Sequence, residues 1–345
     1  MSRRKKVVVI GGGVVGLTCA FVLSEEHEVT VVAELVGASS DSRKATAVWH
    51  VYLVPETPDV LSWAQSSLEK LCDLAIHEPQ AGVELVRGVE LFRKVKPHVP
   101  IWSNIPRLFK MLTKEEIAHY NKFSTLGLSK MDISALQQNP VRWGYHIEAP
   151  AACMQRYLSW LETNTAARCV KIQRKRISAF ETLSMDYDVI INCTGFGARE
   201  LARDRDFVAY KGQYFVLKGS HISPRTYIGD DDHPGGMAYV IPRLGEVLVG
   251  GCAERGREDL ELTLDWKDTI KRAGLFVPWL RACCPTDQAR EPVVGIRPCR
   301  TAGVRLDIDL VSASIPIIHN YGHGGSGFSL SWGCAAAVKA LVAAL

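Results

Sequence analysis

The sequence lacks several features that mark specialised classes of protein. Its 10 cysteines include no pair at the spacing of a metal or redox motif, so we expect reduced thiols and no metal site. The net charge of +4 is small, and the one basic run, at residues 171–176, is more typical of a solvated face than of a nucleic-acid interface. With 47% hydrophobic and 23% charged residues, the chain has the composition of an ordinary globular protein.

Long apolar segments are also scarce. The basic residues 1–6 and the uncharged run 7–24 resemble a signal peptide in outline. That run contains the glycine motif described below, so we interpret it as the buried start of the fold. No other apolar segment reaches the length of a membrane span, and the terminal Ala343-Ala344-Leu345 is not a peroxisomal signal of the Ser-Lys-Leu type. We therefore expect a cytoplasmic protein that binds neither membrane nor nucleic acid.

The rest of the chain is organised around a glycine-rich turn near its start. The β-branched run 7–10 predicts a buried parallel strand, followed by Gly11-x-Gly13-x-x-Gly16 and a helix over 17–23. In this motif Gly11 permits the tight turn, Gly13 lets a pyrophosphate approach the backbone, and Gly16 lets the helix pack close to the strand. The N–H groups and the positive dipole end of the helix then face the phosphates. The pattern predicts a bound dinucleotide.

The residues that follow support the same interpretation. A second strand over 28–33 delivers Glu34 at the distance expected for an acid that binds a pair of ribose hydroxyls. The polar loop 36–44 and the small residues 45–48 are typical of phosphate contacts and close cofactor approach.

Two later stretches also indicate ligand contact. A buried strand over 188–191 ends in Asn192-Cys193-Thr194-Gly195, at the carboxyl end of a strand, where doubly wound sheets bind their ligands. Residues 317–333 predict a strand, a glycine loop and a helix. The glycines before that helix let a flat or anionic group lie against backbone N–H donors.

Between these stretches the pattern changes to short strands separated by Gly, Pro, Asp and His, which is typical of an antiparallel sheet. We predict strands at 82–92, 143–147, 169–172, 177–180, 212–217, 226–228, 237–242 and 246–251, and helices at 60–74, 114–120, 151–163, 269–276 and 329–345. Thr113 and Glu116 form a capping-box pattern before the second of these helices. The predicted fold class is α/β: a Rossmann-type domain interleaved with an α+β domain on a mostly antiparallel sheet.

In the order and spacing of these motifs, the sequence resembles the D-amino acid oxidase family over nearly its whole length. The residues that carry the resemblance are Gly11-x-Gly13-x-x-Gly16, Trp49, 192–195, 238–243, Gly295-Ile296-Arg297-Pro298-x-Arg300 and 319–325. The resemblance implies a glutathione-reductase-like FAD-binding domain from residues 1–52, 150–195 and 290–345. It implies a substrate domain like that of p-hydroxybenzoate hydroxylase from 53–149 and 196–289. Members of the family are commonly homodimers.

The same resemblance implies which residues contact FAD. Glu34 would bind the adenosine ribose, Ile177 and Thr194 would flank the adenine-side half, and the loop 324–329 would contact the isoalloxazine edge. The implied FAD contacts are Gly11, Gly12, Gly13, Val14, Val15, Gly16, Glu34, Asp41, Ser42, Thr46, Ala47, Val48, Ile177, Thr194, Gly324, Gly325, Ser326, Gly327, Phe328 and Ser329.

For catalysis, the resemblance implies that three groups fix an α-amino acid. Arg297 would grip the carboxylate with a planar two-donor fork, and Tyr239 would add a hydroxyl to the same carboxylate. The C=O of Gly325 would accept from the amino group, so that only one enantiomer aims its Cα–H at flavin N5. Hydride transfer to the flavin gives an imino acid, which water converts to a 2-oxo acid and ammonia. Oxygen reoxidises the flavin to yield hydrogen peroxide. The resemblance implies that no side-chain base is needed, because the neutral amine supplies the electron push. Positioning would then carry most of the rate.

Two departures from the family bear on substrate choice. Gly235 occupies the position of a lid residue in vertebrate members, which predicts a short lid and larger substrates; Tyr227 could partly take its place. Ser326 replaces an aromatic residue and predicts a wider pocket. The leading hypothesis is therefore a D-amino acid oxidase with a broad preference for neutral D-amino acids.

Several alternatives stay open at this point. A D-aspartate or D-glutamate oxidase would need a second cation, for which Arg225 and Arg243 are the nearest candidates in sequence. A glycine- or sarcosine-type amine oxidase and a non-catalytic flavin-binding protein share the same motifs. The glycine fingerprint alone also fits a nicotinamide dehydrogenase.

Overall fold

The computed structural model of the protein describes residues 4–94, 99–122, 128–183, 186–218, 226–278, 280 and 290–345. In chain order its helices and strands are β1 (Lys6–Gly12), α1 (Val14–Leu23), β2 (Glu28–Val36), α2 (Pro58–His77), β3 (Val83–Phe92), β4 (Leu108–Met111), α3 (Lys114–Tyr120), α4 (Lys130–Gln138), β5 (Trp143–Ala152), α5 (Met154–Ala167), β6 (Lys171–Arg174), β7 (Val189–Asn192), α6 (Ala198–Leu201), β8 (Phe207–Lys218), β9 (Thr226–Asp230), β10 (Ala238–Arg243), β11 (Glu246–Gly250), β12 (Glu254–Arg255), α7 (Trp266–Ala273), β13 (Arg290–Arg300), β14 (Arg305–Asp309), β15 (Ile317–Tyr321) and α8 (Gly327–Ala344).

The chain divides into two compact units. Unit 1 comprises Met1–Val83, Ala152–Ala209 and Arg297–Leu345, and unit 2 comprises Glu84–Ala151 and Tyr210–Ile296. The predicted α/β class, with two interleaved parts, is confirmed.

Unit 1 is built on a sheet of order β14-β15-β7-β1-β2-β6, parallel except for the antiparallel edge strand β14. Its central strand β1 is apolar on both faces. Val7 and Val9 pack into the same apolar cluster as Leu23 of α1 and Val338 of α8. Val8 packs on the opposite side in the cluster that holds Phe180. A continuous β-branched run is the sequence pattern of a strand covered on both faces.

The C-terminal helix α8 is long and apolar enough, by length and composition, to cross a membrane. In this fold it packs against α1 and α2, as the core helix of a globular protein does. Its contact with α2 is close because Gly333 has no side chain: its N–H donates to Ser67 Oγ at 2.9 Å, and a Cβ there would run into the backbone of Trp63. We interpret its apolar character as a consequence of this packing.

Unit 2 is built on a sheet of order β12-β8-β11-β10-β9-β3-β5-β4, with β13 also paired to β8. The pairs β12–β8, β8–β11, β11–β10, β10–β9 and β4–β5 are antiparallel, whereas β3 and β9 run parallel. The sheet is therefore mixed. Its apolar core lies under α7, where Trp266 and Ile270 pack on Val89, Val240 and Val249.

The bounds of the two units differ from those of the predicted domains. Residues 53–83 and 196–209 belong to unit 1, and residues 290–296 belong to unit 2. Helix α2 belongs to unit 1 because it packs on α8. Residues 290–296 join unit 2 because they belong to β13, which pairs with β8. The assignment of unit 1 to FAD and of unit 2 to substrate stays a prediction.

The sequence interpretation was wrong at the start of α5. The strand predicted at 143–147 continues through Pro150 to the end of β5, and the helix predicted from residue 151 begins at Met154. The N–H of Ala152 donates to the C=O of Ala47 at 2.9 Å, which holds this segment extended. A proline is tolerated near a strand end, where its missing N–H is not needed by the ladder.

Smaller errors concern short elements. The strand predicted at 177–180 is absent, and Phe180–Leu183 forms a 3₁₀ turn whose Phe180 fills the core beside β1. The loop predicted at 36–44 contains two 3₁₀ turns. Helix α4 was not predicted, although Ser129 and Asp132 form a capping box before it.

Candidate functional site

The N-terminus of α1 forms a cradle without side chains. Gly13 is the N-cap residue and makes no side-chain capping bond, and beyond Val14, whose N–H is bonded to Ser42, the first-turn N–H groups face no capping side chain. A Cβ on Gly13 would lie 2.7 Å from Ser42 Oγ, and that hydroxyl accepts a hydrogen bond from the Val14 N–H at 3.0 Å. A Cβ on Gly16 would collide with the Gly11 carbonyl oxygen, so Gly16 permits the close contact between α1 and β1.

The strand beside this cradle supplies an exposed acid. Glu34 lies near the carboxyl end of β2, where Val36 pairs with Gly12 of β1, and its side chain is exposed. Asp41, also predicted to contact FAD, instead pairs with Lys44 at 2.8 Å, and its side chain is 82% exposed. The structure therefore brings Ser42 to the cradle and leaves Asp41 directed to solvent.

The N-termini of α1 and α8 lie close together. A Cβ on Gly327, the first residue of α8, would lie 3.8 Å from Val14 Cγ1. Each helix carries a partial positive charge at this end, so the two dipoles favour an anionic group at the same place. Phe328, in contrast, packs inside unit 1, with its ring 5.6 Å from that of Tyr157.

The carboxyl end of β7 adjoins the glycine turn. Asn192 Oδ1 accepts from both Thr194 Oγ1, at 2.7 Å, and Thr194 N–H, at 3.3 Å. A Cβ on Gly11, whose φ is +118°, would run into the carbonyl of Cys193 and approach Thr194 N to 3.4 Å. Thr194 is thus held beside the fingerprint. Ile177 packs on the apolar cluster below β1 and β2.

The glycine loop at 324–329 lies on the segment that follows Trp49. The Gly325 N–H donates to the Tyr52 C=O at 3.1 Å. Ser326 Oγ accepts from the Tyr52 N–H at 2.7 Å and donates to its C=O at 2.9 Å. Side chains on Gly324 or Gly325 would collide with Leu53 and Tyr52, so the glycines are required for this approach.

The serine hydroxyls of this loop are therefore occupied by the chain itself. Ser326 is fully buried, and the wider pocket that its small side chain predicts stays a prediction. Ser329 Oγ accepts from the His50 N–H at 3.0 Å. Any contact of these two residues with a cofactor would have to be made mainly through the backbone.

The predicted residues 46–48 are held by contacts within unit 1. Ala47 is buried and adopts φ +53°, and its C=O accepts from the Ala152 N–H. Trp49 Nε1 donates to the Ala64 C=O at 3.2 Å. Thr46 and Val48 are half-buried on either side of Ala47.

Two histidines that the sequence analysis missed flank the loop. Burial lowers the pKa of His50 and of His323 to about 4, so both imidazoles are neutral at neutral pH. Within the part of the chain that the structure describes, His323 Nε2 is buried and has no hydrogen-bond partner. The sequence signal that could have identified them is their position, one residue after Trp49 and one residue before Gly324.

The predicted substrate residues are distributed over both units. In unit 1, the Arg297 guanidinium lies 5.7 Å from the centre of the Tyr52 ring, and Tyr52 in turn bonds to Gly325. In unit 2, the ring of Tyr239 covers Gly250 and Gly251, where a Cβ on Gly250 would lie 2.7 Å from its hydroxyl. Tyr227 lies in β9 and so belongs to the sheet rather than to a lid loop.

Comparison with known proteins decides the family. A family model described as FAD dependent oxidoreductase matches residues 6–341. The chain belongs to this family. The D-amino-acid oxidase of Rubrobacter xylanophilus is 34% identical over 341 residues, covering 98% of this chain and 96% of that protein. The D-aspartate oxidase of Homo sapiens is 27% identical over 351 residues, covering 98% and 94%.

The solved structures agree with the fold. The glycine oxidase from Geobacillus kaustophilus has a TM-score of 0.76 to this chain at 17% identity, covering 99% of this chain and 95% of that one. The predicted resemblance to D-amino acid oxidases is confirmed, as is the Rossmann-type fold. The protein is an oxidoreductase, and FAD is its cofactor.

The residues of unit 1 fit FAD, the cofactor of this family. The uncapped N-terminus of α1 and the Ser42 hydroxyl suit the pyrophosphate, and the exposed Glu34 carboxylate suits the ribose. The side-chain-free surface at Gly324 and Gly325 suits a flat ring system. FAD, when bound, supplies a two-electron acceptor that returns its electrons to a second substrate.

Proposed function

We propose that the protein catalyses oxidative deamination of D-amino acids, with a broad preference for neutral side chains. The substrate loses a hydride from Cα and becomes an imino acid, which water converts to a 2-oxo acid and ammonia. Molecular oxygen takes up the two electrons, with two protons, as hydrogen peroxide. The observation that carries the proposal is the arrangement of Arg297, Tyr52 and Gly325 within unit 1.

Arg297 is the group proposed to bind the substrate carboxylate. A guanidinium offers two parallel N–H donors in one plane, which match the two oxygens of a carboxylate. The Tyr52 ring, 5.7 Å away, contributes a cation–π attraction that restricts where the guanidinium can lie. A guanidinium held in this way binds the carboxylate of an α-amino acid and thereby orients the substrate.

Gly325 is proposed to bind the amino group. Its N–H is held by the Tyr52 C=O at 3.1 Å, which fixes this end of the loop. The C=O of Gly325 then accepts from the substrate amine in the role that the sequence analysis gave it. The Arg297 guanidinium and the Gly325 C=O thereby hold the acid end and the amine end of the substrate from unit 1. One enantiomer alone then presents its Cα–H to the cofactor, and orientation accounts for most of the rate.

The pairing of Arg243 supports neutral over acidic substrates. An acidic side chain would need a second cation, and Arg243 is paired with Glu246 at 2.6 Å between β10 and β11. Its charge is therefore offset within its own hairpin. The other candidate, Arg225, lies outside the described residues.

Oxygen uptake tests the proposal directly. The purified holoenzyme is supplied with D- and L-alanine, D- and L-methionine, glycine and D-aspartate, and oxygen consumption, peroxide and 2-oxo acid are measured together. We expect uptake with D-alanine and D-methionine and equal amounts of peroxide and 2-oxo acid. Activity confined to glycine, to D-aspartate or to the L forms would contradict the proposal.

A further inference from the structure

Strands β7 and β15 carry a buried polar pair on one face of the unit 1 sheet. Asn192 of β7 pairs in register with His319 of β15, and neither side chain is more than 1% exposed. Their strand neighbours Ile191 and Ile318 pack on the opposite face, in the apolar cluster shared with α1 and α8. Buried polar groups are hydrogen-bonded, so the bonds of this pair determine how each side chain is oriented.

The backbone of Thr194 fixes the orientation of the Asn192 amide. The Thr194 N–H can only donate, and it lies 3.3 Å from Asn192 Oδ1. The amide nitrogen therefore points the other way, where Nδ2 lies 3.1 Å from His319 Nδ1. Because Nδ2 can only donate, Nδ1 is the acceptor, and the proton of the neutral imidazole is carried by Nε2.

Asp309 holds His319 in that tautomer. His319 Nε2 lies 3.4 Å from Asp309 Oδ2. Burial opposes ionisation of Asp309, but hydrogen bonds from the Ser312 hydroxyl and from the N–H groups of Val311 and Ser312 outweigh it and hold its pKa well below the ordinary value. Asp309 is therefore a carboxylate, which accepts from the Nε2–H.

The direction of these hydrogen bonds determines what the Thr194 hydroxyl can bind. Each group donates to the next, from Thr194 through Asn192 and His319 to Asp309. The Thr194 hydroxyl proton is used at 2.7 Å by Asn192 Oδ1, so this oxygen has only lone pairs to offer a ligand. Thr194 is half-buried and follows the carboxyl end of β7, beside the fingerprint residue Gly11.

We propose that the hydrogen-bonded chain from Asp309 to Asn192 positions the Thr194 hydroxyl as an acceptor for a hydroxyl or amino group of FAD, and not as a donor to its pyrophosphate. The adenosine half of FAD carries both kinds of donor, which agrees with the place beside the adenine-side half that the sequence analysis gave Thr194. His319 is thus a positioning residue, which acts on the cofactor through Asn192 and Thr194. The inference concerns the cofactor and does not depend on which amino acid the enzyme oxidises.

A proton on His319 would break the chain. Burial lowers the pKa of His319 below the ordinary value, and the neighbouring charges partly oppose one another. The groups that face the ring are the charged residues of β14 and its polar and aromatic neighbours: Arg305, Asp307, Asp309, Asn192, Phe180 and Tyr321. Below that pKa, Nδ1 carries a hydrogen that faces the Asn192 Nδ2–H. The amide then loses its acceptor and is free to turn away from Thr194.

Release of FAD from the holoenzyme tests this inference. The rate of release after dilution is followed by flavin fluorescence from roughly pH 8 down to roughly pH 4.5, well below the ordinary histidine pKa of about 6.5. Tryptophan fluorescence checks at each pH that the protein stays folded. We expect release to be about 3- to 10-fold faster at the acid end, as for loss of one neutral hydrogen bond.

Two variants of His319 separate positioning from a merely structural role. His319→Asn places an amide oxygen near the position of Nδ1 and cannot gain a proton, so it should retain FAD at neutral pH and lose the acid dependence. His319→Leu removes the acceptor and should release FAD about 3- to 10-fold faster than His319→Asn already at about pH 7.5. His27→Asn, at another buried histidine of unit 1, is the matched control and should keep the wild-type pH profile.

A double variant tests whether His319 acts through Thr194. Thr194→Val removes the hydroxyl and should speed release, and adding His319→Leu to it should have little further effect. Full additivity of the two effects, an acid dependence that persists in His319→Asn, or equal release from His319→Asn and His319→Leu at neutral pH would overturn the inference. These measurements use no amino acid, so their outcome is separate from that of the proposed function.

Discussion

The Ser326 hydroxyl bonds to both backbone groups of Tyr52, accepting from its N–H at 2.7 Å and donating to its C=O at 2.9 Å. One buried hydroxyl thereby joins the glycine loop to the segment after Trp49. The Gly325 N–H reinforces the same contact by donating to the Tyr52 C=O at 3.1 Å. The loop that we expect to face FAD and the ring that adjoins Arg297 are therefore positioned together.

Removal of this hydroxyl should loosen the cofactor. In Ser326→Ala the Tyr52 N–H loses its acceptor in a part-buried hydrogen bond, which costs about 1–3 kcal/mol. We expect a lower Tm and weaker FAD retention, measured by the release of flavin fluorescence on heating. Ser24→Ala is the control, because that buried hydroxyl bonds back to the Phe21 C=O at the end of α1. Equal effects of the two variants would show that the contact with Tyr52 has no special role.

Two glycines of the fingerprint should respond differently to alanine. In Gly16→Ala the new Cβ meets the rigid Gly11 carbonyl, so we expect loss of the folded protein, seen as insoluble expression or a much lower Tm. In Gly13→Ala the Cβ meets only the Ser42 hydroxyl, which can rotate away. Gly13→Ala should therefore fold but bind FAD more weakly, as measured by the flavin-to-protein absorbance ratio. A stable Gly16→Ala holoenzyme would contradict this account.

Arg297→Lys keeps the charge but loses the two-donor fork. We expect KM for D-alanine to rise roughly 10- to 100-fold while the flavin spectrum is unchanged, because one charged hydrogen bond and its geometry are lost. Arg168→Lys is the matched control, since Arg168 also lies over an aromatic ring of unit 1, that of Phe21, at 3.8 Å. A normal KM in Arg297→Lys would exclude the proposed carboxylate fork.

A buried carboxylate should make the stability of unit 1 depend on pH. Burial opposes ionisation of Asp204, but hydrogen bonds from the Asp206 N–H, from Tyr321 and from Arg300 outweigh it and hold its pKa below the ordinary value. A depressed pKa contributes stability that is present above the pKa of the unfolded chain, about 3.9, and is lost as pH falls through the folded value.

Asp204→Asn should therefore destabilise the protein by about 1–3 kcal/mol at pH 7 and by less below pH of about 4. Thermal unfolding followed over roughly pH 3–7 measures the loss of stability at neutral and at acid pH. Asp307→Asn removes an acid that is 54% exposed and pairs with Arg305, so it should have little effect. A difference between Asp204→Asn and the wild type that did not shrink in acid would contradict this assignment.

Local sequence signals predicted a large part of the fold. The capping box of Thr113 and Glu116 marked the start of α3, because its hydrogen bonds lie within four residues. The β-branched run and glycines after Lys6 predicted β1 and α1 for the same reason. The strand through Pro150 was missed, since its extended form depends on Ala47, far away in the sequence.

The residues of the candidate site also fall into those with a local sequence signal and those that depend on long-range contacts. Residues with a conspicuous local pattern, such as Gly13, Glu34 and Arg297, could be identified from the sequence. The contact of Ser326 with Tyr52, and that of Asn192 with His319, depend on strand register and tertiary packing. A single sequence carries no local signal for such pairings.

The central claim is that this FAD enzyme takes its electrons from the D form of an amino acid. The most direct measurement is the visible spectrum of the purified holoenzyme under anaerobic conditions, before and after addition of D-alanine or L-alanine. We predict that D-alanine bleaches the flavin absorbance and that L-alanine leaves it unchanged. A flavin that neither D-alanine nor any other D-amino acid reduces, or one that the L form reduces equally, would contradict the account.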